Sequence, residues 1–184
     1  DVTNAVLVGE SVTVADGVGA VSVAATGLVA YRTSGSSQRQ LVWFDRSGKA
    51  LGTVGVPDAN GLSGPTLSPD GRRVAASRTI QGNSDIWLMD ATRTTRFTFD
   101  PSPDSYPIWS ADGSRIVFVS RRKGNMDLYV KPSNGAGNEE PLVESAEGKG
   151  AEDWTRDGRF IAYYSGDLQG ARHIWMLPME GNRK

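Results

Sequence analysis

The sequence predicts an all-β protein assembled from a repeated unit, and three observations support this fold class. Four turn glycines follow one another at steps of 44, 42 and 45 residues: Gly27, Gly71, Gly113 and Gly158. A short apolar run follows each glycine, and a second run begins 13 to 15 residues after it. Glycine accounts for 22 of 184 residues, which is typical of many short strands joined by turns. Self-similarity of this kind indicates a repeat architecture.

The repeated unit is clearest over residues 109–130, which read WSADGSRIVFVSRRKGNMDLYV. Further copies begin at Leu67 and Trp154, and a more divergent copy begins at Val23. In the copy at Leu67 the opening turn reads SPDG, where proline suits a φ of about −65° and glycine a positive φ. Strand-favouring runs then alternate with polar loops, so each unit is predicted to be an antiparallel meander.

Apolar side chains occupy both sets of alternating positions in the first run. Val117 and Val119 point to one side of the predicted strand, and Ile116 and Phe118 point to the other. Both faces of each sheet must therefore be covered. Sheets packed face to face around an axis meet this requirement, so we predict a β-propeller of four-stranded antiparallel blades.

The chain is predicted to be one partial propeller domain with about four blades in an incomplete ring. Residues 1–20 are assigned to an outer strand of a preceding blade, over residues 5–9, and to the crossing that follows. The blades are assigned to residues 21–61, 62–104, 105–150 and 151–184, and the last blade lacks its final strand. We expect its open blade faces to be covered by self-association or by a longer protein.

The turn SPDG, with RRVAAS after it and DIWLMD further on, resembles the TolB-like, WD-repeat-like β-propeller repeat. This repeat occurs in bacterial TolB and in the propeller domains of prolyl-oligopeptidase-type enzymes. The resemblance covers residues 22–180, although Thr26 replaces the turn aspartate in the divergent copy. Residues 27–55 are also similar to propeller regions of some bacterial serine/threonine protein kinases. The resemblance implies a periplasmic or extracytoplasmic location, which the residues themselves leave open.

Composition excludes several classes of function. The net charge is −1, so general attraction to nucleic acid or to an anionic membrane is not expected. The absence of cysteine removes disulfides, thiol catalysis and thiolate metal sites. The sequence contains no apolar segment long enough to predict membrane insertion. Because it begins at Asp1 and not at methionine, we expect it to be a piece of a longer protein.

Several side chains are expected to be structural. Trp109 and Trp154 are predicted to lie in the core of the inner strands, and three further aromatics to pack between blades: Trp87, Tyr129 and Trp175. Asp85 and Asp127 are expected to accept hydrogen bonds from turn amides of the neighbouring hairpin. His173 occupies the matching position in the last unit, which favours a role at a strand edge.

The candidate binding surface is the end of the molecule that carries the loops between second and third strands and the crossings between blades. Loops held by a rigid scaffold are where function concentrates. The predicted binding residues are Arg121, Arg122, Lys123, Asp104, Tyr106 and Glu152. The basic run could bind phosphate or an acidic partner, and its alternative interpretation is a solvated loop tip.

The sequence predicts no catalytic residue, metal or cofactor. Residues 100–104 alternate acidic side chains but lack the central glycine and closing glutamate of a calcium loop, which favours a proline-stiffened crossing. No G-x-S-x-G motif accompanies the single histidine. We therefore expect a non-catalytic module that binds a protein or peptide, as the sensor or scaffold part of a larger bacterial protein such as a receptor-like kinase.

Two alternative functions remain open. The chain could be the gating propeller of a serine peptidase whose hydrolase domain lies outside this sequence. It could also be a metal-dependent propeller hydrolase or lactonase, with Asp104 and Glu152 as candidate ligands near the axis.

Overall fold

The computed structural model describes residues 18–23, 29–33, 38–166 and 171–180. These residues form antiparallel strands and connecting turns, and they contain no helix. The strand expected over residues 5–9 lies outside the described part of the chain. The all-β prediction is confirmed.

The strands of the described residues form four sheets, each a meander in which consecutive strands pair. The first sheet contains β1 (Val18–Val23), β2 (Val29–Thr33), β3 (Arg39–Phe44) and β4 (Ala50–Asp58). The second contains β5 (Gly61–Leu67), β6 (Val74–Ile80), β7 (Asn83–Met89) and β8 (Thr94–Arg96). The third contains β9 (Asp104–Trp109), β10 (Arg115–Ser120), β11 (Asp127–Pro132) and β12 (Glu140–Val143). The fourth contains β13 (Gly148–Trp154), β14 (Phe160–Gly166) and β15 (Arg172–Pro178).

We refer to these sheets as blades 1 to 4. Their innermost strands contact one another in sequence, β1 with β5, β5 with β9 and β9 with β13. The sheets do not close on themselves, in agreement with an incomplete propeller. Strand β1 begins at Val18, three residues before the start assigned to the first blade from the sequence.

The turns between first and second strands share one bonding pattern in blades 2, 3 and 4. A hydroxyl donates to the aspartate two residues later, at 2.5 Å in Ser68–Asp70 and 2.6 Å in Ser110–Asp112. The same hydroxyl accepts the amide proton five residues on, at 2.9 Å in both turns. Hydrogen bonds from the Ser110 hydroxyl and from the Ser114 amide and hydroxyl lower the pKa of Asp112 to about 2. These bonds explain why the repeat is detectable, because each turn needs an oxygen, an aspartate and a glycine at fixed positions.

The core lies between successive sheets. Val117 and Val119 belong to a cluster that packs blade 3 against blade 4, with Trp154. Ile116 and Phe118 belong to a second cluster, which packs blade 3 against blade 2 with Trp109. Both faces of β10 are therefore buried, as the alternating apolar pattern predicted.

The expectation that Trp175 packs between blades, as Trp87 and Tyr129 do, is wrong. Tyr129 is 3% exposed, and Trp87 packs against the core cluster between blades 1 and 2. Trp175 is instead 49% exposed, and its indole donates a hydrogen bond to the Ser165 hydroxyl at 3.0 Å. The reason is the position of β15, which is the edge strand of its sheet in the described residues and has no blade beyond it.

Candidate functional site

The loop end of the molecule is assembled by contacts between loop 121–126 and the crossings on either side of it. The Arg121 amide donates to the Pro103 carbonyl at 3.2 Å, and the Lys149 amide donates to the Met126 carbonyl at 2.8 Å. These two bonds attach the loop of blade 3 to the crossing from blade 2 and to the first strand of blade 4. These bonds hold the basic run beside Asp104 at the loop end, whereas Glu152 is the fifth residue of β13, and the structure gives the predicted binding residues different environments.

Arg122 is not part of a solvated loop tip, because its side chain is only 17% exposed. It forms ion pairs with Glu139 at 2.5 Å, Asp104 at 3.5 Å and Asp100 at 3.6 Å. Its guanidinium also lies 4.3 Å from the centre of the Tyr129 ring. Three carboxylates and an aromatic face occupy this cation, so its role is to join the crossing to blade 3.

Asp104 is fully buried at the start of β9. The hydroxyls of Ser120 and Thr98 donate to its carboxylate, and Arg122 lies beside it. Burial raises the pKa of Asp104 to about 6, against the lowering effect of these donors and of the guanidinium. A carboxylate without exposed surface offers no contact to a partner, so the binding role expected for Asp104 is not supported.

The other two residues of the basic run are exposed. The Lys123 ammonium forms an ion pair with Glu144 at 2.7 Å, and the Tyr129 hydroxyl donates to the same carboxylate at 3.1 Å. The Arg121 guanidinium has no ion pair among the described residues. Arg121 is therefore the cation of this run that is available to a partner.

Tyr106 and Glu152 are exposed on neighbouring inner strands, β9 and β13. The Tyr106 side chain is 55% exposed, and its backbone has a φ of 54° in a bulge of β9. Gly64 occupies the same position in the bulge of β5, with a φ of 55°. A left-handed conformation is easy for glycine and costs about 1–2 kcal/mol for a residue with a Cβ atom.

A second buried ion pair lies on the other side of blade 3. The Lys149 ammonium, 1% exposed, contacts the Asp127 carboxylate at 2.8 Å and also donates to two crossing carbonyls. Lys149 pairs with Ser165 in blade 4 as Asp104 pairs with Ser120 in blade 3, so equivalent positions carry opposite charges. This position near the start of the inner strand is thus a structural ionic site in both blades.

The two aspartates near the start of the third strands, Asp85 in β7 and Asp127 in β11, do not share one role. Asp127 accepts the Ser145 amide at 3.2 Å, from the crossing of its own blade. Asp85 instead forms an ion pair with Arg96 at 2.8 Å, within blade 2. The prediction that Asp85 accepts a hydrogen bond from a turn amide of the neighbouring hairpin is therefore wrong. The Arg96 guanidinium on the adjacent outer strand pairs with its carboxylate instead.

Within the described residues, no group of three or more histidine, cysteine or acidic side chains is arranged to hold a metal ion. In residues 100–104, Asp100 accepts the Ser102 amide at 2.8 Å, which caps the proline-rich crossing. His173 lies on the exposed edge strand β15, with its ring 6.4 Å from that of Trp175. Across the described ranges, no helix is long and apolar enough to span a membrane.

The blades, the shared turn chemistry and the core between the sheets define a β-propeller repeat protein. The family model for the TolB beta propeller domain matches residues 27–183, and the chain belongs to this family. The resemblance predicted from the turn motif is therefore confirmed.

Similar proteins of known name are longer than this chain. The Tricorn protease homolog 1 of Streptomyces coelicolor is 28% identical over 117 residues, covering 61% of this chain and 11% of the relative. The Tol-Pal system protein TolB of Desulfosudis oleivorans is 30% identical over 112 residues, covering 59% and 25%. The chain thus spans about a quarter or less of each of these two proteins.

Solved structures share the fold at low sequence identity. TolB from Acinetobacter baumannii matches with a TM-score of 0.69 and 19% identity, over 91% of this chain and 45% of that one. A prolyl endopeptidase matches with a TM-score of 0.70 and 15% identity, over 91% and 28%. Both are similar in the propeller fold.

Proposed function

We propose that this chain is a non-catalytic propeller module that binds a protein or peptide at its loop end. It would serve as the sensor or scaffold part of a larger bacterial protein, such as a receptor-like serine/threonine kinase. Propellers of the TolB type are generally protein-binding, which supports this class of function. The kinase context rests on the similarity of residues 27–55 alone.

The observation that carries the proposal is Tyr106. Its ring is exposed although its backbone adopts a conformation for which blade 2 uses Gly64. Backbone strain is retained where the surroundings hold it, and it concentrates at ligand-binding sites. Here the Tyr106 amide donates to the Ser77 hydroxyl of blade 2 at 3.1 Å, which fixes the residue across the blade boundary.

The surrounding surface suits a protein partner. Tyrosine and arginine are enriched among residues that dominate binding energy at protein interfaces. Tyr106 supplies an exposed aromatic ring and Arg121 a cation without an ion pair among the described residues, and Glu152 on β13 adds an exposed carboxylate. A mixed surface of this kind favours a peptide with polar and apolar side chains over a uniformly charged polymer.

The test begins by identifying a partner through crosslinking of the complete parent protein. The affinity of that partner is then measured for Tyr106→Ala and Arg121→Glu. We expect Tyr106→Ala to weaken binding by about tenfold or more, as for a central aromatic contact. Arg46→Glu, an exposed arginine in the turn between β3 and β4, is the matched control and should leave affinity unchanged. Equal affinities for all three variants and the unmodified protein would exclude the loop end as the site.

A second function is favoured by the match to the Tricorn protease homolog, namely a propeller that gates the active site of a serine peptidase. The peptidase domain would then lie outside the sequence described here. A G-x-S-x-G motif in the flanking sequence, together with peptide hydrolysis by the parent protein, would support gating. Partner binding by a parent without turnover would support the binding module.

A further inference from the structure

A cleft of about 460 Å³ lies between blades 2 and 3, at the end of the molecule opposite to the loops described above. Blade 2 contributes strands β7 and β8 and the turn between them, and blade 3 contributes the turn over residues 133–135. Arg73 joins the two walls, because its guanidinium donates to the Ser133 carbonyl at 3.2 Å.

The charge of this cleft is positive. Three arginines line it, Arg73, Arg93 and Arg96, against a single carboxylate, Asp90. Asp90 is already occupied, because it accepts hydrogen bonds from the Thr92 amide at 2.7 Å and hydroxyl at 2.9 Å and from the Arg93 amide at 2.8 Å. Arg96 is paired with Asp85. The guanidinium groups of Arg73 and Arg93 have no ion pair among the described residues.

An exposed aromatic ring adjoins these cations. Phe99 is 64% exposed, whereas Phe97 beside it is 3% exposed and belongs to the core. The Arg96 guanidinium lies 5.2 Å from the centre of the Phe99 ring, and the Lys131 ammonium lies 5.6 Å from it. Two cations therefore hold an apolar ring at the wall of a cationic cleft, where an apolar group of a ligand can pack on it.

The neighbouring clefts lack this excess of positive charge. The cleft between blades 1 and 2, of about 470 Å³, is mainly apolar and is lined by one cation and one carboxylate, Arg72 and Asp90. The cleft between blades 3 and 4, of about 350 Å³, is lined by two arginines and three carboxylates: Arg115, Arg156, Asp112, Asp157 and Glu180. Of these three clefts, the one between blades 2 and 3 is therefore the one lined by more cations than carboxylates.

We infer that the cleft between blades 2 and 3 binds an acidic protein segment that carries an apolar side chain. Carboxylates of the segment pair with Arg73 and Arg93, since a planar guanidinium forms charge-assisted hydrogen bonds to carboxylates. The apolar side chain packs on Phe99. Charge complementarity selects this partner, because the protein as a whole has a net charge of −1 and the excess of cations is local.

The test uses a fluorescein-labelled peptide, Gly-Glu-Glu-Phe-Glu-Glu-Gly, and fluorescence anisotropy at low and moderate salt. Binding should weaken as salt rises, because the cleft is open to solvent. Arg93→Glu should weaken binding by about tenfold or more and Phe99→Ala by about fivefold. Both side chains are exposed, so circular dichroism should show an unchanged fold. Arg72→Glu in the adjacent cleft is the matched control and should change affinity by less than about twofold.

Three results would overturn the inference. The first is absence of binding at low salt, and the second is an equal loss in Arg93→Glu and Arg72→Glu, which would indicate general attraction. The third is displacement of the peptide by a single-stranded oligonucleotide with equal or higher affinity, which would assign the cleft to phosphate. Tyr106→Ala should leave the affinity for this peptide unchanged. A failure of the cleft proposal can therefore be distinguished from a failure of the loop-end proposal.

Discussion

At the scale of single residues, adjacent members of one motif serve different purposes. Arg121, Arg122 and Lys123 form a continuous basic run, yet in the described part of the chain Arg121 has no ion pair, Arg122 is surrounded by carboxylates and Lys123 is paired at the surface. The decisive partner of Arg122 is Glu139, which lies in the connection before β12. No local pattern links residues this far apart, so the sequence predicted the run but not the separate roles.

Asp104 should make stability depend on pH in an unusual direction. Its pKa is raised to about 6 in the folded protein, from an ordinary value of 3.8. The folded protein therefore holds this proton more tightly than the unfolded chain, and the free energy of unfolding falls as pH rises from about 4 to 7. The difference between the two pKa values corresponds to a change of about 3 kcal/mol in the free energy of unfolding. Arg122, Glu139 and Asp100 are the charged groups of this network.

The measurement is urea unfolding of the native protein and of Asp104→Asn between pH 4 and pH 7. Relative to the native protein, the variant should become more stable as pH rises, by up to about 3 kcal/mol over this range. Asp112, whose pKa is lowered to about 2, changes the free energy of unfolding in the opposite direction, and it does so below this pH range. Glu152→Gln replaces an exposed carboxylate and serves as the control. A difference between Asp104→Asn and native protein that is independent of pH would contradict the prediction.

At the scale of elements, the repeat imposes a geometry that individual blades satisfy with different residues. The inner strands β5 and β9 both contain a bulge with a left-handed residue, Gly64 in one and Tyr106 in the other. The turn motif and strand spacing were visible in the sequence because they depend on residues close together. The bulge was not, because a tyrosine at a left-handed position carries no sequence signal.

Tyr106→Gly should be more stable than Tyr106→Ala by about 1 kcal/mol, because only glycine adopts this backbone conformation without strain. Both variants remove the exposed ring, so their difference reports the backbone alone. Thermal unfolding of the two variants provides the comparison. Equal stability would mean that the bulge relaxes when the ring is removed. Both variants should lose partner binding to the same extent if the ring itself makes the contact.

At the scale of the whole molecule, the sequence predicted which faces are buried wherever a neighbouring blade is present. The clusters on either side of β10 contain the residues that alternation assigned to them. The prediction failed at Trp175, since the burial of an interblade aromatic depends on a blade beyond the last one described. Cross-blade contacts such as Arg73 with Ser133 were also invisible, because they join residues 60 positions apart.

The exposed edge of blade 4 leads us to expect self-association of this chain when it is isolated. Three consecutive residues of β15 are exposed, Ile174 at 70%, Trp175 at 49% and Met176 at 52%. An edge strand presents unpaired backbone groups, and apolar side chains on it favour pairing with a second copy. Sedimentation velocity should therefore show a monomer–dimer equilibrium that shifts with concentration. Ile174→Lys should move this equilibrium toward monomer, since a lysine on the edge opposes strand pairing. Ala91→Lys, which adds the same charge at an exposed alanine in the turn between β7 and β8, should leave it unchanged, and a monomer at all concentrations would refute the expectation.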